Sequence, residues 1–189
     1  MHKCVQELEV FDLKSMRIWG GRPLDGTVNI QGSKNAALPI MAAAVLHKGM
    51  TVLHHCPKIA DVLFMEKILI QLGAKICWKG SSLYLDCSSL ENTNIPDQYA
   101  RKMRCSIILL GALLGRFGKG AIAPPGGCVI GKRPVDLHIS MLEALGTRIE
   151  EKQGLLEAHT AGLQGGMVSF EKQSVGATEH AMIAAVLAQ

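Results

Sequence analysis

The segment Leu72-Gly73-Ala74-Lys75-Ile76 returns 73 residues later as Leu145-Gly146-Thr147-Arg148-Ile149. Each copy follows a run with helical apolar periodicity and precedes two short segments that read as a hairpin. A second signal agrees with the first. The apolar stretch ending Ala43-Ala44-Val45-Leu46 returns as Ala184-Ala185-Val186-Leu187, and a third apolar run, 101–114, lies between them. The chain therefore repeats one pattern: strand, helix, strand, helix, strand, strand. Two full copies and the start of a third are present. A period of about 70 residues exceeds the range of solenoid repeats. Compact units that share one core fit it better, which makes the chain α/β or α+β.

The pattern predicts strands at 15–19 and 27–31, joined through Gly20, Gly21, Pro23 and Gly26. A helix follows at 33–46, apolar nearly all round and therefore buried. A strand at 50–55, a helix at 60–72 ended by Gly73, and a hairpin of 74–78 with 82–87 complete the first unit. Helices at 101–114 and 174–187 open the next two. Hydrophobic residues make up 48% of the chain and aromatics only 4%, so the core must be built from aliphatic side chains and Met. Met41, Met65, Met103 and Met141 are expected core filler. Residues 1–14 read as an extension, and 15–189 as one domain.

The most chemically suggestive stretch is the loop from Pro124 to His138. Gly126, Gly127 and Gly131 surround one thiol, Cys128, with Lys132 and Arg133 close behind. Nearby cations favour the thiolate. Pro134 then opens a helical run, and a helix start beside positive charge favours an anion. The loop reads either as a reactive thiol over an anion site or as a surface turn with an incidental cysteine. A nucleotide P-loop is excluded: after Gly126, Gly131 and Lys132 comes Arg133, where a magnesium-binding hydroxyl would stand.

Other features narrow the function classes. The net charge of +4 is mild and dispersed, which suits anionic small molecules better than nucleic acid. The six cysteines form no C-x-x-C pair, so a zinc module is not expected. His54, His55 and Cys56 alternate faces if they lie on a strand and then cannot converge on a metal. Residues 1–13 lack an apolar signal core, and no run of about 18 apolar residues exists. A cytoplasmic protein with free thiols and no membrane contact is the expectation. Lys34 and Asn35 start a buried helix and read either as a solvated cap or as an anion site. Arg101, Lys102 and Arg104 precede another apolar run. They read as an ordinary charged turn, or as cations awaiting an anionic partner, because cations oppose the dipole at a helix N-terminus.

Three blocks resemble a known family. Pro125-Gly126-Gly127-Cys128, Ile130-Gly131 and Arg133-Pro134-Val135-Asp136-Leu137-His138 are similar to the active-site loop of the UDP-N-acetylglucosamine 1-carboxyvinyltransferases, which are enolpyruvyl transferases. Gly32-Ser33-Lys34-Asn35-Ala36-Ala37-Leu38-Pro39 and Ser174-Val175-Gly176-Ala177-Thr178 agree with it. The resemblance runs from about Arg17 to the last residue and covers roughly the first half of a family member. It implies an inside-out α/β barrel of βαβαββ units, with apolar helices in the middle and sheets facing water. The third unit is expected to stop early and the second domain to be absent.

The resemblance further implies residue roles. Cys128 would protonate the methylene carbon of phosphoenolpyruvate. Lys34, Asn35 and Arg133 would contact phosphoenolpyruvate. Arg104, Arg133, Pro134, Val135, Asp136, Leu137, Lys172, Gln173, Ser174 and Val175 would line the UDP-sugar site. His138 is expected to be structural. No cofactor or metal is implied. The family takes its general base, an Asp, from the second domain, so a complementary chain or self-association is expected. The alternatives are a non-catalytic UDP-sugar-binding domain, half of a split enzyme, and the shikimate-pathway enolpyruvyl transferase, which lacks this cysteine loop.

The loop cations predict that Cys128 is the most readily alkylated of the six thiols. Peptide mapping after limited alkylation checks this; preferential modification of Cys56, Cys77, Cys87 or Cys105 counts against the assignment.

Overall fold

The computed structural model describes residues 21, 23, 25–124 and 135–189. The expected strand at 15–19 and the loop carrying Cys128, Lys132, Arg133 and Pro134 lie outside the described residues. The chain divides into two units, Met1–Ile30 and Gln31–Gln189. In the first, the described residues carry no helix or strand. The strand expected at 27–31 is not formed. Val28 and Ile30 are 79% and 88% exposed, and a strand without a ladder partner or a buried face has little to hold it.

The second unit follows the repeat. Its first copy is α1 (Lys34–Ala43), prolonged by the 3₁₀ turn Ala44–Leu46, then β1 (Met50–Leu53), α2 (Ala60–Gln71), β2 (Lys75–Lys79) and β3 (Ser82–Asp86). The next copy begins with β4 (Asn94–Ile95) and a short helix, α3 (Asp97–Ala100). It continues through the 3₁₀ turn Arg104–Ile107, α4 (Ile108–Phe117), β5 (Lys119–Ile122), α5 (Asp136–Ala144), β6 (Arg148–Lys152) and β7 (Leu155–His159). The third copy is α6 (Val175–Ala185).

The two sheets repeat the same pairing. In the first, β3 lies between β1 and β2, antiparallel to both, with Asp86 opposite Met50 and Lys75. In the second, β7 lies between β5 and β6, with His159 opposite Lys119 and Arg148, and β4 adds a parallel edge. The pentapeptide repeat has a local cause. Gly73 and Gly146 take φ of +108° and +82°, a conformation a side chain resists. In each copy two bonds close the helix end: Gly73 N–H to Ile70 O with Ala74 N–H to Leu69 O, and Gly146 N–H to Glu143 O with Thr147 N–H to Leu142 O. This is the Schellman cap. It turns the chain from helix into the outer hairpin at the same point in both copies.

The expected helix at 101–114 is divided. Met103 is extended, with φ −134° and ψ 105°, and its side chain enters the core at 3% exposure. That break separates α3 from the 3₁₀ turn before α4. Residues 54–55 form a turn rather than the end of a strand: His55 has φ +53°, and His54 Nδ1 bonds Ser82 Oγ at 3.0 Å.

The helices α1, α4 and α6 pack against one another. Every residue of α4 from Ile108 to Leu114 is buried, which gives the core its axis. Met41, Met65, Met103 and Met141 are all within it. The hairpins carry polar side chains on their outer faces, while Leu83 and Leu85 of β3 and Leu156 and Ala158 of β7 point inward. Apolar helices inside and half-wet sheets outside match the expected architecture. Among the described residues, no helix is long and apolar enough to cross a membrane.

Two buried polar contacts tie α4, α5 and α6 together. His180 of α6 is fully buried. Its Nε2 accepts the N–H of Gly111 in α4 at 2.9 Å. Its Nδ1 lies 3.1 Å from Nδ1 of His138 in α5. A Cβ at Gly111 would sit 2.6 Å from the His180 ring, so a glycine is needed there despite its cost of about 1 kcal/mol inside a helix. Burial pushes both imidazoles down, His138 to about 4 with help from the Arg104 cation, and His180 to about 3 with help from His138.

Between the ordinary histidine value and these lowered ones, the unfolded chain binds protons that the folded chain refuses. Stability is therefore full above pH 6.5 and falls as pH drops towards about 4. Denaturant unfolding measured at half-unit intervals from pH 7.5 to 4.5 checks this. A flat profile between pH 6.5 and 4.5 would contradict the buried pair.

Candidate anion-binding site at three helix ends

The N-terminal ends of α1, of the turn before α4, and of α6 open onto one cavity of about 580 Å³. Its wall includes Lys34, Asn35, Lys102, Arg104, Ser174, Val175 and Gly176, with Leu38, Pro39 and Ile108 as an apolar floor. The sequence explains why these ends meet. Each begins the first helix of a repeat, and the repeats share one core, so equivalent helices enter it from the same side.

The first turns differ in charge from those of the outer helices. Asp61, Asp97 and Asp136 stand in the first turns of α2, α3 and α5, where a carboxylate suits the helix dipole. The first turns of α1, α4 and α6, and the 3₁₀ turn before α4, contain no acid. Lys34 and Arg104 stand at two of these ends instead. Neither Ser33 before α1 nor Met103 before the 3₁₀ turn supplies a side-chain cap. In α6, Ser174 Oγ accepts the N–H of Ala177 at 3.2 Å. The N–H groups of Val175 and Gly176 remain the orphan donors of that turn.

Two carboxylates temper the positive charge. Asp61 reaches across from α2 to Lys34 at 2.9 Å, and this bond and charge hold the lysine above its usual range. Both groups are substantially exposed, so the pair contributes little to stability. Glu179 also faces the cavity, and burial pushes its carboxyl up. Cys105 lines the same wall, with its thiol driven up to about 11, first by burial and then by Asp61. It is held as an inert thiol at neutral pH.

Of the residues singled out in the sequence, Lys34, Asn35, Arg104, Ser174 and Val175 meet at this cavity. Lys172 and Gln173 line an adjoining shallow groove that shares Ser174 and Val175 with it. Val135, Asp136 and Leu137 lead into and open α5. None of these three lines the cavity, whereas the neighbouring His138 does. Arg101 turns away to pair with Asp97, and Lys102 lies 5.8 Å from the centre of the Phe64 ring. Cys128, Arg133 and Pro134 lie outside the described residues. Lys102, one of the cations expected to await an anionic partner, also lines the cavity, whereas Asp61, Cys105 and Glu179 were not singled out as wall residues. Their spacing from the first turns of α1, α4 and α6 is legible only once those three ends are known to meet. Among the described residues, no group of three His, Cys, Asp or Glu side chains is placed to hold a metal.

Positive helix ends, orphan N–H donors and cations over an apolar floor make a receptor for phosphate or carboxylate oxygens. The chain is 43% identical over 172 residues to UDP-N-acetylglucosamine 1-carboxyvinyltransferase 2 of Caldanaerobacter subterraneus subsp. tengcongensis, covering 91% of this chain and 41% of that protein. It is 44% identical over 176 residues to UDP-N-acetylglucosamine 1-carboxyvinyltransferase of Wolbachia pipientis wMel, covering 89% and 41%. The chain thus spans about two fifths of the length of the curated relatives it matches. Its fold superposes on the enolpyruvyl transferase NikO from Streptomyces tendae with a TM-score of 0.72 at 19% identity, over 89% of this chain and 40% of that one. Residues 18–189 match the family profile of EPSP synthase (3-phosphoshikimate 1-carboxyvinyltransferase), and the chain belongs to that family.

Proposed function

We propose that this chain forms one wall of an active site that moves the enolpyruvyl group of phosphoenolpyruvate onto the 3-hydroxyl of UDP-N-acetylglucosamine, releasing phosphate. The observation that carries this reading is the meeting of three acid-free helix ends, two of them bearing Lys34 and Arg104, on one cavity. Both substrates are polyanions, and such a wall suits them. The relatives' names and the Pro125-Gly126-Gly127-Cys128 loop favour the sugar nucleotide over shikimate as acceptor. In a bacterium this reaction opens peptidoglycan synthesis in the cytoplasm.

The roles are those the family resemblance implies, and the meeting of Lys34, Asn35, Arg104, Ser174 and Val175 at the cavity supports them. Lys34, Asn35 and Arg133 hold phosphoenolpyruvate. Arg104 and the Val175 and Gly176 amides take the diphosphate, with Lys172, Gln173, Arg133 to Leu137 and Ser174 along the sugar nucleotide. Attack by the sugar oxygen on the substituted carbon of phosphoenolpyruvate requires a proton for the methylene carbon, and Cys128 supplies it. Loss of a proton and of phosphate then restores the double bond. Cations near the departing phosphate stabilise the charge that develops there, commonly the largest catalytic contribution. The sugar hydroxyl needs a base, and Asp61 is committed to Lys34. The base and the opposite wall belong to a second half, supplied by a further domain or a complementary chain.

The expected outcome is no turnover by this chain alone, because a positioned base contributes about 10²–10⁴ in rate. Phosphate release is measured with both substrates, first alone and then with the second half of a homologous enzyme added. Release should appear only with the added half, and Cys128→Ala or Lys34→Met should abolish most of it. Binding of UDP-N-acetylglucosamine without release under any condition would favour a sugar-nucleotide-binding domain. Release by the lone chain would show that the base has been misplaced.

A further inference from the structure

His138 and His180 are separated by 42 residues, sit on different helices and face each other through the same ring nitrogen. We infer that His180 is a positioning residue that fixes His138 in its Nε2–H tautomer, making it a neutral, oriented donor to an anionic oxygen in the cavity. The inference rests on the cavity being the substrate site proposed above.

The chain of reasoning starts from a group with no choice. A backbone N–H only donates. The Gly111 N–H points at His180 Nε2 from 2.9 Å, so that nitrogen carries no proton. A neutral imidazole with a bare Nε2 carries its proton on Nδ1. That proton faces His138 Nδ1 at 3.1 Å, which must then accept. The His138 proton is left on Nε2. A second proton on either ring would set donor against donor, either at Gly111 or between the two Nδ1 atoms. The arrangement therefore excludes the imidazolium as well as the other tautomers.

The Nε2 edge of His138 looks into the site. The residue is 5% exposed yet lines the cavity wall. Its Cε1 and Nε2 lie 3.7 and 3.9 Å from the point where a Cβ on Gly176 would stand, beside the orphan amides of α6. Among the described residues, no acceptor for the Nε2 proton is found. The charged groups bearing on the ring are Arg104, from the turn before α4, and Asp136, from its own helix; the first opposes a proton on it and the second favours one. With the neighbouring cation disfavouring imidazolium, the ring offers a hydrogen bond without adding charge. A donor of this kind recognises an oxygen while leaving its charge available to Lys34 and Arg104.

The test uses the full chain uniformly labelled with ¹⁵N. Long-range ¹⁵N–¹H correlation at pH 7 should show Nδ1–H for His180 and Nε2–H for His138. Addition of inorganic phosphate, and separately of UDP-N-acetylglucosamine, should shift His138 Nε2 and leave both tautomers unchanged. In His180→Leu, His138 should become a mixture of tautomers, and the sugar nucleotide should bind about 2- to 10-fold more weakly, the range of one neutral hydrogen bond. If that variant does not fold, the wild-type tautomers and the ligand shift decide alone. His138 protonated on Nδ1, or unmoved by a ligand that shifts Lys34 and Arg104, overturns the inference and leaves the site standing. No response at Lys34, Arg104 or His138 to either ligand overturns the reading of the cavity and the inference with it.

Discussion

Bringing the positive ends of three helices to one point is electrostatically unfavourable. Each end carries roughly half a positive charge in orphan N–H groups, and this chain places Lys34 and Arg104 there in addition. The outer helices follow the opposite rule and carry an Asp in the first turn. Two polarities in one small unit show that the unfavourable arrangement is confined to the cavity. Asp61 and Glu179 relieve part of it. The proposed anion, held against the amides and cations, would relieve the rest, which ties the chemistry of the site to the direction of the helices.

That direction is enforced by the core. α4 is buried throughout Ile108–Leu114 and packs on both α1 and α6, so it cannot rotate to point its charged end elsewhere without exposing Leu and Ile side chains. Each of these stabilises the fold by about 1.5–3 kcal/mol when fully buried. Gly111 and the buried histidine it contacts hold α6 at a set rotation against α4. The hairpins, shed outward by the Schellman turns at Gly73 and Gly146, leave the helix ends unobstructed.

Much of this was legible in the sequence where a local rule dictates the structure. The repeated Leu-Gly segment is a cap that needs positive φ, so its recurrence announces the recurring helix-to-hairpin turn. The all-round apolar runs announce the interior helices. Sequence pattern and structure part where a distant partner decides. Residues 27–31 have the composition of a strand, yet Val28 and Ile30 remain exposed. Residues 101–114 have helical periodicity, yet burial of Met103 breaks the helix. His180 sits in an apolar helix and gives no local sign of its role. The one hint was Gly111, an unforced glycine in a buried helix, and its meaning depends on knowing what packs against it. The wall residues Asp61, Cys105 and Glu179 escaped notice for the same reason.

The central claim is that anionic substrates lie against the three helix ends. Diffraction from crystals grown with UDP-N-acetylglucosamine tests it most directly. The account predicts the diphosphate within hydrogen-bond distance of the Val175 and Gly176 amides and of Arg104, with the sugar directed towards Lys34. Diphosphate bound on an outer sheet face or at the acid-bearing ends of α2 or α5, with this cavity empty, would contradict it.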